Sequence, residues 1–234
     1  RVLEFDGDAD VASADGVGGG AGPPVKEREL ADAFGGVAVG IEEIHAEADR
    51  AGIHAEEGDL ADVRLLGTGQ RVQIRGRITV PPGVYGAREA YVGEDGAGVR
   101  LFLRKQAERL PAVPEGATVL ATGVLRDFHG EREIVLDRAT DLWVDDRDAV
   151  RPVVPATVAT GAVGEGSEGA LARISGRIVG FSGPTITLDD GSGPARVVVR
   201  TGSGIRRPWV SIGARLEVVG VVGQYARRAP WEGG

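Results

Sequence analysis

The phrases Ile74-Arg75-Gly76-Arg77-Ile78 and Ile174-Ser175-Gly176-Arg177-Ile178 stand one hundred positions apart, and the same landmarks follow each in the same order. After the first come an acidic, glycine-rich turn at 94–98, a strand studded with arginine, and an apolar run from Gly116 to Gly123. After the second come Asp189-Asp190-Gly191-Ser192-Gly193, another such strand, and a run from Gly213 to Gly220. One small supersecondary unit is therefore used twice, and it sets the architecture.

The unit is β. In the first copy Val72, Ile74, Ile78 and Val80 mark a long strand, and Gly76 in its middle suits a strand that bends around a small barrel. A Pro-Pro-Gly turn at 81–83 leads to strands expected at 88–92, 99–104, 118–125 and 131–136, with a short helix or irregular connector over 105–113. Five short strands with a connector between the third and fourth give the chain order of a five-stranded Greek-key barrel. The expected fold class is all-β: two five-stranded barrels in tandem, preceded by an acidic glycine-rich segment with short helices. The divisions fall at 1–68 for the acidic arm, 69–148 for the first barrel, 149–169 for a linker and 170–234 for the second barrel.

The second copy ends differently. In the first, the run 131–136 follows Gly123 after a short turn, whereas residues 221–234 after Gly220 contain Pro230 and Gly233-Gly234 and offer no such strand. The second barrel is expected to lack its fifth strand, which leaves unpaired backbone groups on both flanking strands.

These landmarks together resemble the OB-fold family, in particular OB domains of secreted bacterial proteins, some of them joined to nucleases or phosphoesterases. The residues that carry the resemblance are 72–78, Pro81-Pro82-Gly83-Val84-Tyr85-Gly86, Tyr91-Val92, 116–123 and the strand after Gly130. The second copy, 171–225, is similar to a shorter version. The resemblance implies that the fifth strand belongs between the third and fourth, and that the outer face and loops of the barrel bind single-stranded nucleic acid or oligosaccharide.

Charge is distributed unevenly. The net charge of −8 divides into −11 over residues 1–69, −1 over 70–150 and +4 over 151–234. With no cysteine, disulfides and thiolate chemistry are excluded. No apolar run approaches the roughly 20 residues that span a bilayer, and none reads as a signal peptide. A chain that begins at Arg1 without any methionine reads as a processed or excised product, and the expected location is outside the cell or at its surface, where a cysteine-free chain is well tolerated.

The binding signal lies on the third strand. Val99, Leu101 and Leu103 alternate with Arg100, Phe102 and Arg104, so one face enters the core while the other presents a ring between two guanidinium groups. Tyr91 shares that outer face, with Tyr85 in the preceding loop and Phe128 between strands four and five. Rings stack on bases or sugars while arginines follow phosphates. The competing expectation is that Tyr91 and Phe102 pack against a neighbouring domain, with the arginines paired to nearby acids. In the second copy the matching face carries Thr187 and Val198 between Arg196 and Arg200, without rings.

No catalytic constellation is found. His45 and His54 stand among glutamates without a common ligand spacing, and Asp6-Gly7-Asp8-Ala9-Asp10 lacks the later residues of a calcium loop, so no metal and no cofactor are expected. Three functions fit these features. The first is a non-catalytic tandem binding module for single-stranded nucleic acid or another extended polyanion. The second is a structural subunit that self-associates into a homopolymer, a filament formed by strand complementation. Its donors are Val2, Leu3 and Phe5 or Val37, Val39 and Ile41, and its acceptor is the barrel that carries Arg196 and Arg200. The third makes these barrels accessory parts of a larger secreted nuclease or phosphoesterase.

Overall fold

The computed structural model describes residues 2–5, 60–63, 65–200, 203–205 and 210–224. These described residues all belong to one compact unit. The short helices expected in the acidic arm, the donor run of Val37, Val39 and Ile41, both arm histidines and the aspartate series at 6–10 lie outside the described residues.

In the first ring of strands, β2 (Arg71–Val80) pairs antiparallel with β3 (Glu89–Glu94), which pairs with β4 (Ala97–Leu103). β4 runs parallel to β6 (Glu131–Leu136), β6 antiparallel to β5 (Thr118–Phe128), and β5 returns to β2, closing five strands on themselves. The fifth strand thus sits between the third and fourth. Residues 105–113 form no regular element, and a short β7 (Leu142–Val144) extends the sheet beside β5. The inward residues form one core that includes Ile74, Ile78, Val99, Leu101, Leu103, Leu125 and Ile134. A single turn, α1 (Leu60–Val63), adds Leu60 and Val63 to that core.

The second ring repeats this order with β9 (Leu171–Ser182), β10 (Thr185–Asp189), β11 (Pro194–Val198) and β12 (Arg215–Gly223). The expectation of a missing fifth strand is corrected here. β1 (Val2–Phe5) runs parallel to β11 and antiparallel to β12, the same relations that β6 holds to β4 and β5. Leu3 stands in register with Val197 and Val222, both buried in the second core. The strand that the local sequence does not supply comes from the other side of the first barrel in the same chain.

The repeated phrase has one physical meaning in both copies. Ile78 and Ile178 are fully buried, and a side chain on Gly76 or Gly176 would press within 3 Å of the neighbouring strand, at Val92 and Asp189. Arg77 donates to the carbonyl of Gly116 at 3.3 Å, and Arg177 to that of Gly213 at 2.9 Å. The backbone repeats the bond: Gly116 donates to Ile78, and Gly213 to Ile178, each at 2.8 Å. Each phrase therefore fastens its first strand to the turn that opens the fourth.

The segment expected as a linker is built into the structure. β8 (Ala156–Thr157) adds to β9, and Thr160 donates through both its amide and its hydroxyl to the Asp190 carboxylate in the β10–β11 turn. Gly98 and Gly169 meet backbone to backbone, so that a Cβ on either would overlap the other's carbonyl. The amide of Arg132 donates to Glu168 at 2.7 Å.

Candidate functional site

The expected alternation on β4 holds. Val99, Leu101 and Leu103 lie in the core, and Arg100, Phe102 and Arg104 lie on the opposite face. At Tyr91 and Arg100 that face is not the open platform of the first expectation but the packed and ion-paired one of the competing expectation. Tyr91 is 1% exposed and Arg100 8%. Val80, Tyr85 and Tyr91 of the first ring pack with Leu171 and Val221 of the second, flanked by Val84, Val153 and Val219. Tyr85 and Tyr91 meet edge to face with centroids 6.0 Å apart. Neither ring offers a face on which a ligand could stack, because the second barrel occupies that side.

The electrostatics of the same patch are those of a closed cluster. Arg100 Nη2 donates to Glu89 Oε2 at 2.8 Å, while its Nη1 lies 3.2 Å from Glu133 Oε2 and 3.6 Å from Glu131 Oε2. The strand register explains the convergence, since Arg100 pairs with Tyr91 on one side and Glu133 on the other. Tyr91 donates its hydroxyl to Glu131 Oε1 at 2.8 Å, and Arg200 donates to Glu89 Oε1 at 3.1 Å. Burial opposes the charge on Arg100, yet Tyr91, Glu131, Glu89 and Glu133 outweigh it and raise its pKa. Burial also raises the carboxyl of Glu133, with Glu89 adding to the rise against the pull of Arg100. Three carboxylates face two guanidinium groups here, so Arg100 is already neutralised and carries no surplus charge for a phosphate.

The remaining expected residues form a different, open arrangement. Phe128 ends β5 with 43% of its surface exposed, and Phe102 is half-buried on β4. The Arg100 guanidinium carbon lies 5.2 Å from the first ring centroid and 5.3 Å from the second, and Arg88 lies 4.9 Å from that of Phe102. His129 meets Phe128 edge to face at 4.7 Å, held in a left-handed backbone turn. Arg104 is exposed and paired with Asp137 at 2.7 Å. Arg126 is exposed two residues before Phe128 on β5, and among the described residues no ion pair is formed by it. Arg196 is exposed on β11; Arg200 is half-buried, with its guanidinium 4.6 Å over the Tyr85 ring.

Glu89, Glu131, Glu133, Arg88 and Arg126 do not stand out in the sequence. Their signal there is the alternation Glu131-Arg132-Glu133 beside a strand carrying Arg100, which matters only once β6 is placed against β4. Among the described residues no group of three or more His, Asp or Glu is arranged to hold a metal ion, and no helix is long and apolar enough to cross a membrane.

No protein-family model matches this sequence, and no curated protein matches it. Among solved structures the chain is similar to the HINb domain of p204, at 13% identity and a TM-score of 0.32, over 65% of this chain and 84% of that one. A likeness this loose carries nothing about function.

Proposed function

We propose that this chain is a non-catalytic, OB-like binding module whose ligand contacts the exposed rim of the first barrel at the β5–β6 hairpin. The observation that supports this most is Phe128, a large ring left 43% exposed at a strand end, with Phe102 5.3 Å from the same Arg100 guanidinium. The rings give flat apolar surface, Arg88 lies 4.9 Å from the Phe102 ring, and Arg126 stands exposed two residues before Phe128 on the same strand. Single-stranded nucleic acid fits that chemistry, since bases stack on rings and the backbone follows cations. Tyr85, Tyr91 and Arg100 take the separate role of supporting this rim from beneath.

The test is fluorescence anisotropy with a labelled single-stranded oligonucleotide at low salt. Binding that weakens on Phe128→Ala by roughly 5- to 150-fold is expected, because a stacked base contributes about 1–3 kcal/mol. Affinity should also fall with salt, with a log–log slope of about −0.7 for each phosphate neutralised. Absence of binding at low salt, or binding indifferent to both Phe128→Ala and Arg126→Ala, overturns the reading.

A further inference from the structure

The fifth-strand position of the second ring is filled in an unusual way. In the first ring, β6 follows β5 after only residues 129 and 130, a hairpin that brings its two strands together at little loop-closure cost. In the second ring, β1 reaches β12 across residues 6–214 of the chain. Its hold on the slot is a set of backbone pairings: Val2, Leu3 and Glu4 with β11, and all four residues with β12. Without β1, Val197 and Val222 lose the strand that stands in register between them, and two strand edges open together.

We propose that this slot is an exchangeable strand acceptor, and that its partner is a second copy of this chain, which inserts its own Val2–Phe5 in the same register. The donor sequence is the one already seated there, so every pairing made within one chain is remade between two. Exchange of an identical element needs no new surface. What decides between the two arrangements is the local concentration of the tethered strand, and a long path through the chain gives it far less advantage than a hairpin has. Reciprocal exchange closes as a dimer, with both slots filled.

The chain has no cysteine, which makes the test direct. Leu3→Cys and Val222→Cys place thiols on residues that face each other in register. Two single-cysteine chains, one carrying a mass tag, are mixed at high concentration, warmed and oxidised, then resolved without reductant. A Leu3→Cys to Val222→Cys cross-linked heterodimer, increasing with protein concentration, is the expected result. The double variant at low concentration should close its disulfide within one chain. If it does so at every concentration while the mixed singles give no heterodimer, exchange is overturned; if it forms no disulfide at all, β1 does not occupy the slot and the proposal falls as well. Sedimentation of the unmodified chain gives a result even where a cysteine variant fails to fold, since a monomer at every concentration also overturns it.

Discussion

Arg200 of the second barrel and Glu89 of the first are joined by a 3.1 Å hydrogen bond, and the other oxygen of that carboxylate takes the Arg100 guanidinium at 2.8 Å. One glutamate thus links the buried cluster of the first barrel to the second. Such clusters hold structure less by net attraction than by the large penalty for losing any one member.

Arg100→Ala should therefore be strongly destabilising. It strands Glu89, Glu131 and Glu133, whose side chains are each 10% exposed or less, without their central cation. Breaking a buried pair from one side costs about 3–5 kcal/mol. The midpoint of urea unfolding measures it, and a loss below about 1 kcal/mol would mean that the cluster is far more solvated than its burial indicates.

Glu133 makes a prediction about pH. Burial holds its carboxyl above the ordinary range, so the folded chain keeps this proton after the unfolded chain has released it. As pH rises above about 4, where an ordinary glutamate ionises, this group's contribution to stability falls. The decline ends once the folded group ionises too. Glu133→Gln mimics the protonated form, and the stability of the variant relative to the parent should rise from pH 4 to pH 7. Urea midpoints across that range check this; a gap that narrows with pH contradicts it.

Much of the fold is legible in the chain itself, because alternation and turn residues are local signals. Val99, Leu101 and Leu103 had to share a face, and Gly116 and Gly213 had to open corresponding strands. The burial of Tyr91 is not legible in this way. Its alternation gives the side of the strand it occupies, but Leu171 and Val221, which cover that side, come from the other barrel. The same holds for the fifth strand of the second ring. Residues 1–5 are recognisable as a strand and as a donor, yet the choice of acceptor depends on pairing across the whole chain, which no local pattern encodes. Arg100 follows the competing expectation of arginines paired to nearby acids, but which acids is not local: its three carboxylates converge only through the β3–β4–β6 register.

The joint between the barrels depends on two residues without side chains. A Cβ on Gly98 would overlap the carbonyl of Gly169, both of them backbone positions that no rotamer change can relieve. Gly98→Ala should lower stability by about 1–3 kcal/mol, the usual penalty for overpacking a closed interior. Gly166→Ala is the control, because nothing lies within 4 Å of its Cβ position. Thermal unfolding of the two variants should separate them clearly, and equal melting temperatures would mean that this contact does not hold the joint.

The latch between Thr160 and Asp190 gives a prediction readable without any ligand. Hydrogen bonds from the Ser192 side chain and amide, and then from Thr160, hold the Asp190 carboxyl far below the usual range. The carboxylate accepts from the amides of both Thr160 and Ser192, at 3.1 and 2.9 Å, and so ties the segment before β9 to the β10–β11 turn. Asp190→Ala removes both acceptors, and the two amides should exchange with solvent faster than in the parent chain. Thr160→Val, which keeps the amide bond to Asp190 and loses only the hydroxyl, should change the Ser192 amide much less. Because the carboxyl stays ionised well below the ordinary aspartate range, protection in the parent chain should persist below about pH 4, where an ordinary aspartate already takes up its proton. Hydrogen exchange at residues 160 and 192 tracks all three comparisons, and unchanged rates in Asp190→Ala would show that the turn is held by its own backbone instead.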